Sequence, residues 1–521
     1  MTMTTPPSTE VEVINALSLL AHKVAPNVFD LSSLQWHVSI RDQIVRAQLL
    51  MADLKAADPK IQSVLIVGMG AAGISAAMAA CELGISQVCV VDRADTPFKL
   101  FRAVTSRFVG PFMYEWPSSF HADQSYPVPP NAPWGGQGRS PLTWSAKEPI
   151  TADDLAKELT TCLTTWITKR RKAGLSLPHL LVKADPTEIE SFAKQFAVTE
   201  AERAKETSQG GSAKTPKSQF NRDSNANALL WGGTPGAGFP TTHEPDYLIL
   251  AAGMGTETLT VPGSTEVTPS FWANDTLKDA STADQRVVVL GGGDGALQDA
   301  LRALTKYDHP LSLVQDLQRN PSAGRALSAE LPALLDADRQ MRQHYAWVKG
   351  SQGQEMVDLV CQQAADRLAA NPAVRRYVLK SIRPGKGTVW LWLAGKHFDK
   401  AYLLNRFAIH LLWACFRKLA RRPTGRMGFE VQFSMKVTHS KPPSLPTTTG
   451  TPSPAKVKRW TLHVSSQGGS IVKKADKVVV RFGVQKDTIP GLQMVQLGVP
   501  NERDLKHRAT LKGIELPFVA M

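Results

Sequence analysis

Gly68, Gly70 and Gly73 stand at the spacing G-x-G-x-x-G, and Asp92 follows twenty-four residues after the first of them. The chemistry open to such a set is to hold a dinucleotide. The first glycine permits a tight turn, the second lets a pyrophosphate approach the backbone, and the third lets a helix close on a strand. A carboxylate at a roughly 20-residue offset receives an adenosine ribose hydroxyl. Ala71 and Ala72 keep the turn small, and Arg93 follows the acid. A glycine triplet alone reads equally well as a small-residue helix packed on a sheet, so its surroundings decide. Val64–Val67 is an apolar, β-rich run suited to a strand covered on both faces. Ala71–Leu83 reads as an alanine-rich helix that presents free N–H groups and its positive dipole end to the phosphates and stops at Gly84. Val88–Val91 then forms the strand that delivers Asp92.

The pattern returns. Arg286–Leu290 reads as a strand, Gly291, Gly293 and Ala296 form G-x-G-x-x-A, Asp294 opens a helix to Leu304, and Leu311–Val314 is predicted as the next strand. Gln315 occupies the place of the ribose acid, with Asp316 beside it and Arg319 near. An arginine there suits a 2′-phosphate and leans the cofactor towards NADPH over NADH, and Asp316 argues the other way. Each glycine turn has a companion, an acid followed by an apolar strand and a glycine exit: Asp246–Gly253, DYLILAAG, and Asp476–Gly483, DKVVVRFG.

These motifs need elements to carry them. Ile40, Ile44, Ala47, Met51 and Leu54 fall at helical spacing and predict a lead-in helix beside the first strand. Residues 93–149 form a long stretch whose Phe112, Tyr114, Trp116, Phe120, Tyr126, Trp134 and Trp144 argue against disorder; they either wall a pocket or anchor a surface loop. Thr151 is the expected N-cap of a helix to Lys172. Short antiparallel strands are expected at Leu180–Val182 and Phe196–Val198, a disordered insertion at 206–240, and strands at Phe429–Val437 and Arg459–Val464. Residues 328–422 read as mostly helical.

Composition narrows the classes. The chain of 521 residues has room for two or three domains, and 43% hydrophobic with 20% charged residues suits a globular protein. No apolar run reaches the roughly 18 residues of a membrane span, and Ala401–Phe416 carries Asn405, Arg406 and His410, so it reads as a buried or partly amphipathic helix. The N-terminal residues have no signal-peptide pattern, giving an expectation of a cytoplasmic protein. A net charge of +14 comes with basic clusters at Lys169–Lys172, Arg417–Arg426 and Lys456–Arg459, but they lack the aromatic interleaving of a nucleic-acid surface and read as solvated faces. Cys81, Cys89, Cys162, Cys361 and Cys415 include no C-x-x-C pair, which disfavours zinc, a disulfide framework and a redox dithiol.

The repeated couplet resembles the flavoproteins with two dinucleotide-binding domains, a group that includes thioredoxin-reductase-like enzymes and flavin-dependent N-hydroxylating monooxygenases. The resemblance covers about half the chain. It implies an α/β fold with two Rossmann-like domains on parallel sheets, plus a helical insertion. It places the ADP half of FAD on Gly68, Gly70, Ala71, Ala72, Gly73, Asp92 and Arg93, with Gly253 at the matching strand end, where alanine replaces the family's threonine. It places NAD(P)H on the turn of Gly291, Gly293, Asp294 and Ala296, with Gly483 ending the last strand, while Gln315 and Arg319 are candidates by their spacing from that turn. The chain lacks the family's redox cysteines and its late Gly-Asp motif, and the helical block has no counterpart there. The implied division is a lead-in at 1–60, an FAD domain at 61–281, an NAD(P) domain at 282–484 with its helical insertion at 328–422, and a segment 485–521 returning to the FAD domain.

The resulting expectation is an FAD-dependent oxidoreductase reduced by NAD(P)H, with a small molecule or oxygen as its partner. A flavin-dependent monooxygenase and a non-catalytic dinucleotide sensor are its rivals. His121, His397 and Asn405 are polar groups of the kind that line such sites, with a structural role favoured for each. No acid or base is assigned, and substrate and oligomeric state are left open.

Overall fold

The structure, a computed structural model, describes residues 22–31, 39–110, 148–221, 242–253, 255–343, 352–398, 401–421, 423–442, 459–466 and 468–484, together with 19, 116–117, 142–143, 146 and 227–228. The chain enters through β1 (Lys23–Ala25), β2 (Val28–Asp30) and α1 (Ile40–Ala57), then runs β3 (Ser63–Val67), α2 (Ala71–Glu82) and β4 (Gln87–Val91). The short pair β5 (Phe108–Val109) and β6 (Ile150–Thr151) leads to α3 (Ala152–Lys172), β7 (His179–Val182) and α4 (Pro186–Ser208). Three two-residue strands, β8 (Phe220–Asn221), β9 (Asn227–Ala228) and β10 (Thr242–His243), precede β11 (Tyr247–Leu250). The first sheet has the order β1-β2-β11-β3-β4-β7-β9, with β2, β11, β3, β4 and β7 parallel. Val64 and Ile66 pack under α1, α2 and α3, while Leu65 and Val67 pack on the side of α4. Burial on both faces explains why β3 carries no alternation.

The second half runs β12 (Arg286–Leu290), α5 (Asp294–Leu304), then α6 (Pro310–Arg319), α7 (Pro321–Gln343), α8 (Gln352–Ala370) and α9 (Pro372–Lys380). It continues through β13 (Thr388–Trp392), α10 (Leu403–Arg417), β14 (Gly428–Gln432), the meander β15 (Lys436–Lys441), β16 (Trp460–Ser466) and β17 (Gly469–Ala475), and β18 (Lys477–Val480). Its parallel sheet is ordered β14-β13-β12-β18, the same arrangement as β7-β4-β3-β11.

The couplet repeats bond by bond. Gly68 N–H donates to Val91 O at 2.8 Å and Gly291 N–H to Trp392 O at 2.9 Å, while Ala251 N–H donates to Val67 O at 2.7 Å and Arg481 N–H to Leu290 O at 2.8 Å. At the other end of the strands, Asp246 accepts from the Gln62 and Ser63 N–H groups at 3.0 Å, and Asp476 accepts from Arg286 N–H at 2.7 Å. The repeated acids therefore fix strand register and stand at the end of the sheet opposite the glycine turns.

Several expectations change. Leu311–Val314 lies in α6, because Pro310 at the first helical position and the buried positions Leu311, Val314 and Leu317 at three-residue spacing extend a helix past the apolar run. Phe196–Val198 lies in α4, capped by Asp185 with Pro186 behind it, and buries Ile189, Phe192, Ala193 and Phe196 on one face. Leu180–Val182 is a strand, but it pairs with β4 in parallel. The helical reading of 328–422 contains β13, and the helices begin earlier, at α6; α10 is the crossover from β13 to β14. Phe429–Val437 is split between β14 and β15 in different sheets. Within 206–240, the Glu206 carboxylate orders the chain after α4 by accepting from Lys214 and Thr215 N–H, and the remainder beyond 221, apart from β9, falls outside the described residues, as do 485–521.

The close helix-to-strand contact gives a stability test. A Cβ on Gly73 would lie 1.8 Å from Gly68 O, whereas one on Gly70 would meet nothing within 4 Å. Gly73→Ala should lower stability by about 3 kcal/mol, the upper range of an overpacked core. Gly70→Ala, which meets no neighbour, should cost no more than about 1 kcal/mol, the preference for glycine over alanine at an N-cap. Paired denaturant titrations check this, and equal midpoints for the two variants would contradict it.

Candidate functional site

The first turn joins β3 to α2 at the carboxyl edge of a parallel sheet, where open α/β folds place their ligands. Gly68 takes φ +109°, a left-handed value, and a Cβ there would lie 2.2 Å from Ala251 O at the exit of β11. Gly70 is the N-cap of α2 and supplies no side-chain cap, so the helix mouth carries backbone donors and no acid in its first turn. Such a mouth suits an anion. The open space over Gly70 is the room that a pyrophosphate needs. Ala71 and Ala72 are buried behind it.

Asp92 follows β4 and turns back to this loop. One carboxylate oxygen accepts from Met69 N–H at 2.6 Å and the other from Ala94 N–H at 2.8 Å. Met69 is the residue between Gly68 and Gly70, so the acid braces the turn while its remaining lone pairs stay available to a hydroxyl. Beyond it, at the ends of β4 and β7, opens a cavity of about 710 Å³ with Arg93, Lys99, Lys183 and Asp185 on its walls. Lys183 holds φ +58°, unusual for a lysine, with its N–H on Ala94 O at 2.8 Å. Gly68, Gly70, Ala71, Ala72, Gly73, Asp92 and Arg93 thus gather at one sheet edge, and Gly253, at φ +86°, leads the chain away from the β11 exit.

The second turn is built alike but dressed differently. Gly291 takes φ +137° against Arg481 O, Ala296 is buried, and Gly293 caps α5 without a side chain. The Asp294 carboxylate accepts from Tyr402 N–H at 2.8 Å and Asn405 Nδ2 at 2.6 Å, which ties α5 to the start of α10. Asn405 therefore has the structural role favoured for it. Gln315 and Arg319 stand on α6, not at a strand end. They rim a separate cleft of about 390 Å³ with Lys306, Tyr307 and Asp316, where Arg319 pairs with Glu148 at 3.5 Å.

Strand register identifies the residue that replaces Asp92. Val67 pairs with Val91, the residue before Asp92; Leu290 pairs with Trp392, the residue before Leu393. The acid's counterpart is thus a buried leucine, followed by exposed Lys396 and half-buried His397. The sequence signal was the β-branched and aromatic run TVWLW between Gly387 and Gly395, hidden inside a helical stretch. Of the aromatic loop only Trp116 is described: it is buried and stacked on Phe407 at 5.2 Å. His121 and the other rings lie outside the described residues.

Gly70→Val should fold and fail to retain FAD, since its branches fill the space over the helix mouth; full flavin occupancy in the folded variant would contradict the assignment. Asp92→Ala removes a brace and a charged acceptor, and should weaken FAD binding by about 1.5 to 3 kcal/mol, roughly ten- to a hundred-fold. Titration of the apo-variant reads this directly, and an unchanged dissociation constant would leave Asp92 as a brace alone.

No family model and no curated protein matches the chain. Among solved structures, similar ones include T. acidophilum thioredoxin reductase, at 11% identity over 82% of this chain and 80% of that one with a TM-score of 0.28. L-lysine 6-monooxygenase from Pseudomonas syringae is similar at 13% identity over 84% of each chain, TM-score 0.33. Cyclohexanone monooxygenase in a closed form is similar at 13% identity over 83% of this chain and 72% of that one, TM-score 0.31. Superpositions this loose carry no argument, and the function rests on the chain's own residues.

Proposed function

We propose that this chain is an FAD-dependent oxidoreductase with two dinucleotide-binding domains, the first turn holding the ADP half of FAD and the second receiving NAD(P)H. The observation that carries the reading is the first turn itself: an uncapped helix mouth, open space over Gly70, and Asp92 beside a cavity walled by three cations. Bound FAD would supply the hydride and electron chemistry, and the protein would orient it. In this reading the α2 mouth neutralises the pyrophosphate, Asp92 receives the adenosine ribose, and the cavity takes the adenine end.

The electron acceptor is a small molecule or oxygen, not a protein disulfide of this chain. All five cysteines are free, and four are buried. Burial pushes the Cys81 and Cys415 thiols up to about 12 and raises Cys89 and Cys361 as well, which keeps them protonated and unreactive. That burial favours a monooxygenase as the second reading within the class.

The nicotinamide preference passes from Arg319 to Lys396 and His397, because they follow the strand end where a ribose is read and Leu393 offers no carboxylate to repel a 2′-phosphate. The proposal therefore leans to NADPH. Anaerobic stopped-flow reduction of the bound flavin tests it: NADPH should outpace NADH, and Lys396→Ala should slow NADPH alone by about tenfold, the loss of one charge-assisted contact. Arg319→Ala should change neither rate. Equal rates for both cofactors in the wild type would contradict the preference, and no reduction by either would contradict the second turn's role.

A further inference from the structure

Five charged side chains meet in the interior beside α5 and the exit of β18. Asp299, fully buried on α5, receives Arg107, Arg302 Nη1 at 3.1 Å and Arg481 Nε at 2.8 Å. Asp275 receives Arg107 Nη2 at 2.9 Å and Arg302 Nη1 at 2.8 Å. The Phe271 ring lies against the cluster, its centroid 4.5 Å from the Arg107 guanidinium carbon and 5.9 Å from that of Arg481. It also covers Gly295 at the mouth of α5, where a Cβ would approach it to 3.1 Å. Burial opposes ionisation of Asp299, but the charges of Arg107, Arg481 and Arg302 outweigh it and hold its carboxyl below the ordinary range.

The members come from different parts of the chain. Arg302 sits on α5 and Arg481 at the exit of β18, both in the second half, and Asp275 lies in the connection before β12. Arg107 and Asp275 belong to the first half: the Arg107 carbonyl accepts from Ala152 N–H at 2.8 Å at the start of α3, and the chain at Asp275 is tied to the same stretch, with Asp275 N–H donating to Ser106 Oγ at 3.1 Å and Asn274 Nδ2 to Ala103 O at 2.7 Å. Three guanidiniums against two carboxylates leave one positive charge in excess. Without Arg107 the remaining four side chains balance. Without Asp299, three guanidiniums would share one carboxylate. The second half alone contributes two guanidiniums against one carboxylate, and the buried fork of Arg107 reaches both Asp275 in its own half and Asp299 in the other. Trp116, stacked on Phe407 of α10, is a second contact of the same kind from the same stretch of the first half.

We propose that Arg107 is a positioning residue: it bolts the second glycine turn to the first half in one orientation, so that transfer between the ligands of the two turns proceeds without rotation of one domain against the other. The transfer part of this inference rests on the function proposed above, whereas the bolt itself does not. Arg107 reaches across the junction while its backbone stays in the frame of α3, and the acid it holds, Asp299, lies on the helix whose mouth is the second turn. Loss of the fork should therefore loosen the junction and leave both turns intact.

The test uses the full chain with FAD and compares Arg107→Met, Arg107→Lys and Asp299→Asn. Arg107→Met should bind FAD and NADPH as the wild type does, yet reduce its flavin about tenfold more slowly, with amide exchange over 271–303 faster by about the same factor, as expected for one lost charged contact. Arg107→Lys, which keeps the charge without the fork, should recover part of the rate. Asp299→Asn should be the least stable of the three, since it leaves buried guanidiniums uncompensated. Wild-type exchange over 271–303 in Arg107→Met, or a loss of stability in it equal to that of Asp299→Asn, would overturn the bolt. If the wild type holds no flavin, the proposed function fails, and exchange and stability on the flavin-free chain still decide the bolt.

Discussion

In each half of this protein a strand-exit carbonyl occupies the place where the first glycine of the neighbouring turn would carry a side chain. Ala251 O lies 2.2 Å from the Cβ position of Gly68, and Arg481 O lies 2.2 Å from that of Gly291. The contact leaves only glycine at these positions, sets each turn in a left-handed conformation and brings a helix mouth to the carboxyl edge of its sheet. The rest of each site follows from that placement. The neighbouring strand ends beside the turn, the helix presents its donors above it, and a left-handed glycine after the exit, Gly253 or Gly483, turns the chain away.

The two turns diverge in what surrounds this shared frame. Around the first, Asp92 braces Met69 N–H and a cavity lies open beyond it. Around the second, the acid's counterpart is Leu393, Asp294 is drawn to α10, and Phe271 lies over Gly295. A turn with a braced acid and open space beside it would suit a cofactor held through many turnovers, while a site with an apolar strand end and exposed Lys396 would suit one that comes and goes. That asymmetry is the ground on which the proposed function gives FAD to the first turn and a nicotinamide cofactor to the second.

The local half of this design was legible in the sequence and the distant half was not. Glycine spacing, the alanine-rich α2, the Thr151 cap and the twin acid–strand–glycine exits all declare themselves within about twenty residues, and each stands where its pattern placed it. Leu311–Val314, LSLV, misled because a stretch of four residues is too short to show its period, and only Pro310 and Leu317 reveal the helix. The strand β13 was missed because five helices separate it from β12, so the position expected for a ribose reader fell on Gln315 and Arg319 when register places it after Trp392. The cluster at Asp299 joins residues from Arg107 to Arg481, and nothing in a linear pattern announces that an arginine will be buried.

The central claim is that the first turn holds FAD. Its most direct test is the absorption spectrum of the protein after incubation with FAD and gel filtration. The expected result is a flavin band corresponding to one FAD per chain. A colourless protein that nevertheless binds ADP-ribose at the first turn would contradict it and show a nucleotide-binding protein without flavin chemistry.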